Sequence, residues 1–204
     1  MFNSSIAVNG LSGISTSNTQ SAGFILVGGR STRMGTDKAL LPWESRPLVV
    51  HTAELVTSIV GSATLVGAPE RYRALGLNAI PDLRLDRGPL AGIEAALASD
   101  YAGDINLVVA CDIPGLDSDL LESLAERARK RIVPCVAARD VSGQVHPLCA
   151  VYRKECLSVI RDSLDWGRLR LTDLLDLLDA DYVDSQNPLA NINTPQQWAQ
   201  WPTR

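Results

Sequence analysis

From Gly23 onward, short apolar runs alternate with longer stretches in which apolar residues recur at helical spacing. No other feature limits the possible folds as much. Residues 23–27, 63–67, 79–80 and 105–110 read as strands, and residues 47–60, 69–75, 89–99 and 117–130 as helices. The last of these helices starts acidic and ends basic, as the helix dipole prefers. Strands alternating with helices predict an α/β fold, a sandwich of helices around a mostly parallel sheet. Residues 132–138 and 145–152 read instead as two strands paired across the turn at 140–143, so the sheet is predicted to be mixed. Helices near 154–163 and 169–178, a strand at 182–183 and a helix at 194–201 complete the pattern.

At 204 residues the chain is long enough for one well-buried domain. Apolar residues make up 46% and charged residues 21%, the balance of an ordinary soluble enzyme. A net charge of −4 argues against a nucleic-acid partner, which asks for a basic surface, so cations for a phosphate must be concentrated locally. Residues 1–21 are rich in Ser, Asn, Gly and Thr and read as a disordered leader before a single domain at 22–204. No apolar run approaches the roughly 20 residues of a membrane span, and the start lacks the pattern of a signal peptide. The four cysteines, Cys111, Cys135, Cys149 and Cys156, form no C-x-x-C pair and have no histidine cluster beside them. That pattern disfavours zinc and predicts buried free thiols in a reducing cytoplasm.

The first strand empties into Gly28-Gly29-Arg30-Ser31-Thr32-Arg33-Met34-Gly35-Thr36-Asp37-Lys38. Bare backbone N–H groups and cations brought together in this way suit a polyphosphate. The spacing is not that of a P-loop, because Lys38 does not follow the second glycine directly. It is not the dinucleotide fingerprint G-x-G-x-x-G either. Lys38 is positioned to neutralise phosphate charge and Arg33 to offer a planar fork, while Asp37 reads as structural.

Ligands of open α/β sheets bind beyond the carboxyl ends of the strands. Four polar clusters fall at such ends: the 28–38 loop, Gly67-Ala68-Pro69, Asp82 with 88–92, and Asp112. Asp112 follows five apolar positions, where an unpartnered carboxylate would be costly. It reads either as the cap of the next turn or as a ligand for Mg²⁺, a hard ion that takes one or two carboxylates plus substrate phosphates. Asp82 reads as a second carboxylate, a nucleotide contact or a solvated turn residue. His146 reads as a satisfied core or loop histidine, with general base as the alternative. Ser31 has no His–acid partner to form a hydrolase triad.

Taken together, L-V-G-G-R-S-T-R-M-G-T-D-K-A-L, D-R-G-P-L-A-G-I at 86–93, A-C-D-I-P at 110–114, H-P-L at 146–148 and N-I-N-T-P at 191–195 resemble the molybdenum cofactor guanylyltransferases. The resemblance runs from about residue 23 to about 201 and implies a Rossmann-like three-layer α/β/α sandwich. It implies Mg²⁺-dependent transfer of GMP from GTP to the phosphate of molybdenum-molybdopterin, with release of pyrophosphate. Leu26, Gly28, Gly29, Lys38, Gly67, Asp82 and Asp112 would then face GTP, with Asp112 on the metal. Arg33, Asn191 and Asn193 would lie toward the pterin. Transient contact with other cofactor-biosynthesis proteins and apo-molybdoenzymes is implied as well. The chain departs from the family in two places: Val27 stands where alanine is common, and Gly67 stands where an asparagine is common. A cytidylyltransferase or sugar-phosphate nucleotidyltransferase is the nearest alternative on the same fold. A nucleotide-binding protein without catalysis is the alternative of a different kind.

Overall fold

The computed structural model describes residues 19–27, 37–192 and 195–200. Among the described residues the strands are β1 (Ser21–Leu26), β2 (Pro42–Trp43), β3 (Arg46–Pro47), β4 (Thr64–Val66), β5 (Asn78–Ile80), β6 (Ile105–Ala110), β7 (Cys135–Arg139), β8 (Val145–Arg153) and β9 (Asp181–Asp184). The helices are α1 (Leu48–Val60), α2 (Pro69–Tyr72), α3 (Pro89–Ala98), α4 (Ser118–Lys130), α5 (Cys156–Asp165), α6 (Leu171–Leu177) and α7 (Pro195–Gln200).

A seven-stranded sheet with the order β5-β4-β1-β6-β8-β7-β9 forms the middle layer. β1 pairs parallel to β4 and β6, β4 to β5, and β7 to β9, while β8 runs antiparallel to both β6 and β7. The mixed sheet expected from residues 132–152 is therefore present, with β8 alone reversed. As a result the carboxyl ends of β5, β4, β1, β6, β7 and β9 all reach one edge.

Alternation along each strand divides the core into two layers. Ile25 and Val27 of the first strand segment face the cluster built by α1 and α4, together with Leu107 and Val109. Ala22, Phe24 and Val108 face the opposite cluster, built by α3, α5 and α6. β6 is buried at every position, as a central strand covered on both sides must be. Each large aliphatic side chain buried this way contributes about 1.5–3 kcal/mol.

Local chemistry sets the element ends. Asp117 caps α4, its Oδ1 accepting from the Leu120 N–H at 2.8 Å, and Arg127, Arg129 and Lys130 occupy the last turn. α1 stops at Gly61, whose φ of 82° is the left-handed conformation glycine adopts without strain.

Two features depart from the sequence reading. Strand β1 begins at Ser21, and the Gln20 N–H donates to Asp104 Oδ2 at 2.9 Å, so the predicted leader extends too far in taking in Gln20 and Ser21. Residues 1–18 lie outside the described residues. The second feature is the β2–β3 hairpin, which had no predicted counterpart because Pro42 and Pro47 disguise its two short edge strands. Its Trp43 ring lies 5.7 Å from His51 and 5.8 Å from Trp198, which holds α7 against the segment following Lys38. Among the described residues no helix is long and apolar enough to cross a membrane.

Candidate active site

Three backbone hydrogen bonds bring the strand ends out side by side. The Val27 N–H donates to Val66 O at 2.9 Å, Gly67 N–H to Ile80 O at 2.9 Å, and Cys111 N–H to Leu26 O at 3.2 Å. Leu26, Gly67, Asp82 and Asp112 thus emerge at the same edge from four neighbouring strands.

Asp112 is the centre of the polar contacts there. Lys38 Nζ lies 3.2 Å from its Oδ2, and Asn191 Nδ2 donates to its Oδ1 at 3.3 Å. The Ile192 N–H donates to the Asp112 carbonyl at 3.0 Å, which ties Asn191-Ile192 to the end of β6. Lys38 and Asp112 keep side-chain exposures of 19% and 23%, so the pair is sheltered yet reachable by a ligand. A partly sheltered pair like this feels stronger electrostatics than one in open water.

Lys38 opens a short 3₁₀ helix, Lys38–Leu40, which Asp37 caps by accepting from the Ala39 N–H at 3.1 Å. The other Asp37 oxygen accepts from the Tyr72 hydroxyl at 2.8 Å, with Arg71 3.8 Å away. Tyr72 is fully buried, and burial first, then Asp37, pushes its hydroxyl pKa far up, so it stays a neutral donor. Asp37 is thus structural, as its position in the sequence predicts. It joins the helix carrying Lys38 to α2.

Asp82 follows β5 and bonds to no other group among the described residues. Its carboxylate is open to solvent but crowded on one side, and desolvation raises its pKa. It lies along α3, where a Cβ on Gly92 would stand 3.5 Å from Asp82 Oδ1 and 2.9 Å from Leu26 Cδ2. A side chain at Gly92 would thus press on the Leu26 side chain, which would have to shift. Gly67 has a φ of +142°, and a Cβ there would sit 1.8 Å from the Val27 carbonyl oxygen. An asparagine cannot occupy that backbone unchanged. The Gly67 N–H is engaged with the Ile80 carbonyl.

Among the described residues no group of three or more His, Cys, Asp or Glu is placed to hold a metal. A divalent ion at this edge would rest on Asp112 and on oxygens from outside the protein. Mg²⁺ is held in this way, keeping waters and taking one or two carboxylates plus phosphates. The donor set fits it.

The structure brings Leu26, Lys38, Gly67, Asp82, Asp112 and Asn191 to one edge. Gly28, Gly29, Arg33 and Asn193, and with them Ser31, lie outside the described residues. Asn191, expected toward the pterin, has its amide on Asp112. His146 is buried, with Nε2 3.0 Å from Asp140 Oδ2, and is the satisfied histidine expected. All four cysteines are free and buried, and burial pushes the Cys149 thiol up to about 12. Tyr72 was not foreseen, since its partner is 35 residues away and no local pattern records it. Glu94 was also missed, although as the single charge in the apolar helix Pro89–Ala98 it left a visible signal.

The family model for the MobA-like NTP transferase domain matches residues 23–180. A molybdenum cofactor guanylyltransferase of Xanthomonas euvesicatoria is 34% identical over 184 residues, spanning 87% of this chain and 92% of that protein. Molybdopterin-guanine dinucleotide biosynthesis protein A from Archaeoglobus fulgidus superposes with a TM-score of 0.73 at 22% identity, over 88% of this chain and 95% of that one. A Mycobacterium tuberculosis protein in complex with manganese superposes with a TM-score of 0.64 at 18% identity, over 89% and 97%. At those identities the solved structures speak for the fold.

Proposed function

The chain belongs to the MobA-like NTP transferase domain family, and on that premise we propose that it transfers GMP from GTP to the terminal phosphate of molybdopterin carrying molybdenum. The products are the pterin guanine dinucleotide and pyrophosphate. One observation carries the reading: Lys38 and Asn191 meet at the Asp112 carboxylate, just beyond the end of the central strand.

The reaction needs no protein nucleophile. An oxygen of the acceptor phosphate forms a bond to the α-phosphorus of GTP, and the α–β anhydride bond breaks as pyrophosphate leaves. Its obstacle is that one anion must approach another. Lys38 supplies a positive charge beside Asp112 and turns it toward the triphosphate. Asp112 would hold Mg²⁺, which when bound would neutralise phosphate charge and ease departure of pyrophosphate. Asn191 holds Asp112 from the acceptor side. Asp82 and Gly67 border the nucleotide with Leu26. By motif, Gly28 and Gly29 serve the nucleotide, and Arg33 and Asn193 serve the pterin. Positioning and charge neutralisation together account for the catalysis. The buried free thiols fit the reducing cytoplasm, where this acceptor would be met and where contact with other cofactor-biosynthesis proteins and apo-molybdoenzymes would follow.

The test is pyrophosphate release with GTP, CTP, ATP or UTP, each with and without the pterin acceptor. Release that requires the acceptor and is fastest with GTP is expected. A preference for CTP would overturn the guanylyl assignment, and GTP binding without release would make the protein a nucleotide binder.

A further inference from the structure

Glu94 is a carboxylate that the transfer reaction does not use. It sits in α3 among Leu90, Ile93 and Leu97 with a side-chain exposure of 4%. A carboxylate so buried is costly unless charged partners reach it. Two arginines reach it. Arg84 NH2 donates to Oε1 at 3.2 Å, and Arg84 Nε lies 2.9 Å from Oε2 in an ion pair outside hydrogen-bond alignment. Arg161 of α5 donates from Nε to Oε1 at 3.3 Å. Arg84 also bonds through NH1 to Asp165 at the end of α5.

Arg84 is the arginine that comes from a loop. Between β5 and α3 the chain runs without helix or strand, and Leu83 and Leu85 on either side of Arg84 are exposed. The segment therefore has no apolar anchor at those positions. Asp82 stands two residues before Arg84, with its own carboxylate against Gly92 of the same helix that carries Glu94. One side chain thus fixes the loop bearing Asp82 to two helices. The planar fork of arginine suits spanning two carboxylates at once better than the point charge of lysine.

We propose that Arg84 is a positioning residue that holds Asp82 in place for the nucleotide by clamping its loop to Glu94 and Asp165. The proposal rests on the reading of Asp82 as a nucleotide contact. The clamp acts on nucleotide affinity through Asp82 and not on the transfer step itself. Arg161 remains on Glu94 when Arg84 is removed, so the helix keeps a partner for its buried charge.

The experiment is calorimetric titration of the full chain with GTP and Mg²⁺, alongside melting temperatures, for wild type, Arg84→Met, Arg84→Lys, Asp82→Asn and the Arg84→Met/Asp82→Asn double variant. Arg84→Met is expected to weaken GTP about tenfold, within the range of coupled neighbouring residues. Arg84→Lys is expected to fall between Arg84→Met and wild type. The double variant is expected to bind within about twofold of Asp82→Asn alone, because the clamp then has nothing left to position. Arg84→Met that melts early but binds GTP as wild type does would overturn the proposal. So would a double variant in which the two losses multiply in full, or an Asp82→Asn variant with unchanged affinity. If wild type binds CTP in place of GTP, the base assignment fails visibly, and the same comparison among variants with CTP still decides the clamp.

Discussion

At the residue scale, function rests on a few charges held by neutral neighbours. Asp112 receives Lys38 and Asn191 on its two oxygens, so removing it frees both and deletes the carboxylate proposed for the metal. Asp112→Ala is expected to lower turnover by about a hundredfold or more, the scale of a lost electrostatic contribution. Initial rates of pyrophosphate release check this, and a near-wild-type rate would remove Asp112 from the metal role. Tyr72 tests the support behind Lys38. Tyr72→Phe keeps the buried ring but takes the hydroxyl from Asp37 Oδ2. The variant is expected to lose about 1 kcal/mol of stability in a urea titration. Its turnover is expected to fall more than its apparent GTP affinity, because Lys38 loses its fixed position.

At the element scale, the sheet was readable wherever a run of residues carried its own pattern. The strand at 105–110 was read to the residue, because it is apolar throughout and ends in Cys111-Asp112. The helix read at 117–130 is Ser118–Lys130 with Asp117 as its cap, since acid, apolar stripe and base all agree. What stayed hidden depends on distant partners. The β2–β3 hairpin is two residues per strand and is held by Trp43 on His51 and Trp198. The β7–β8 turn, by contrast, was readable at 140–143, and its partners are local: Asp140 accepts from the Ser142 hydroxyl at 2.6 Å and from the N–H groups of Ser142 and Gln144, and pairs with His146. The Ser142 hydroxyl first, and His146 second, hold the Asp140 carboxyl well below the usual carboxylate range. A carboxyl with a lowered folded pKa adds stability above its unfolded pKa of about 3.9 and loses it as pH falls through that value and below. Asp140→Asn removes this proton uptake. The variant is therefore expected to lose less stability than wild type between about pH 5 and pH 3, as urea midpoints across that window would show.

At the scale of the whole molecule, reversing β8 alone keeps six strand ends on one edge, and so the proposed nucleotide and acceptor sides fall on one face. The sequence already indicated the residues of that face, because Leu26, Gly67, Asp82 and Asp112 each end an apolar run. It could not indicate that Asn191, 79 residues after Asp112, would bond to it, since only the folded chain brings them together. Nor could it show that Gly67 is set by the nearness of the Val27 carbonyl, which makes its departure from asparagine a matter of backbone space. The central claim is that this edge joins a guanylyl group to a pterin phosphate. Mass spectrometry of the pterin product, after incubation of the protein with GTP, Mg²⁺ and molybdenum-molybdopterin, tests it most directly. The account predicts a pterin heavier by one GMP unit, formed by wild type and nearly absent with Asp112→Ala. An unmodified pterin, or one carrying CMP when CTP is offered beside GTP, would contradict it.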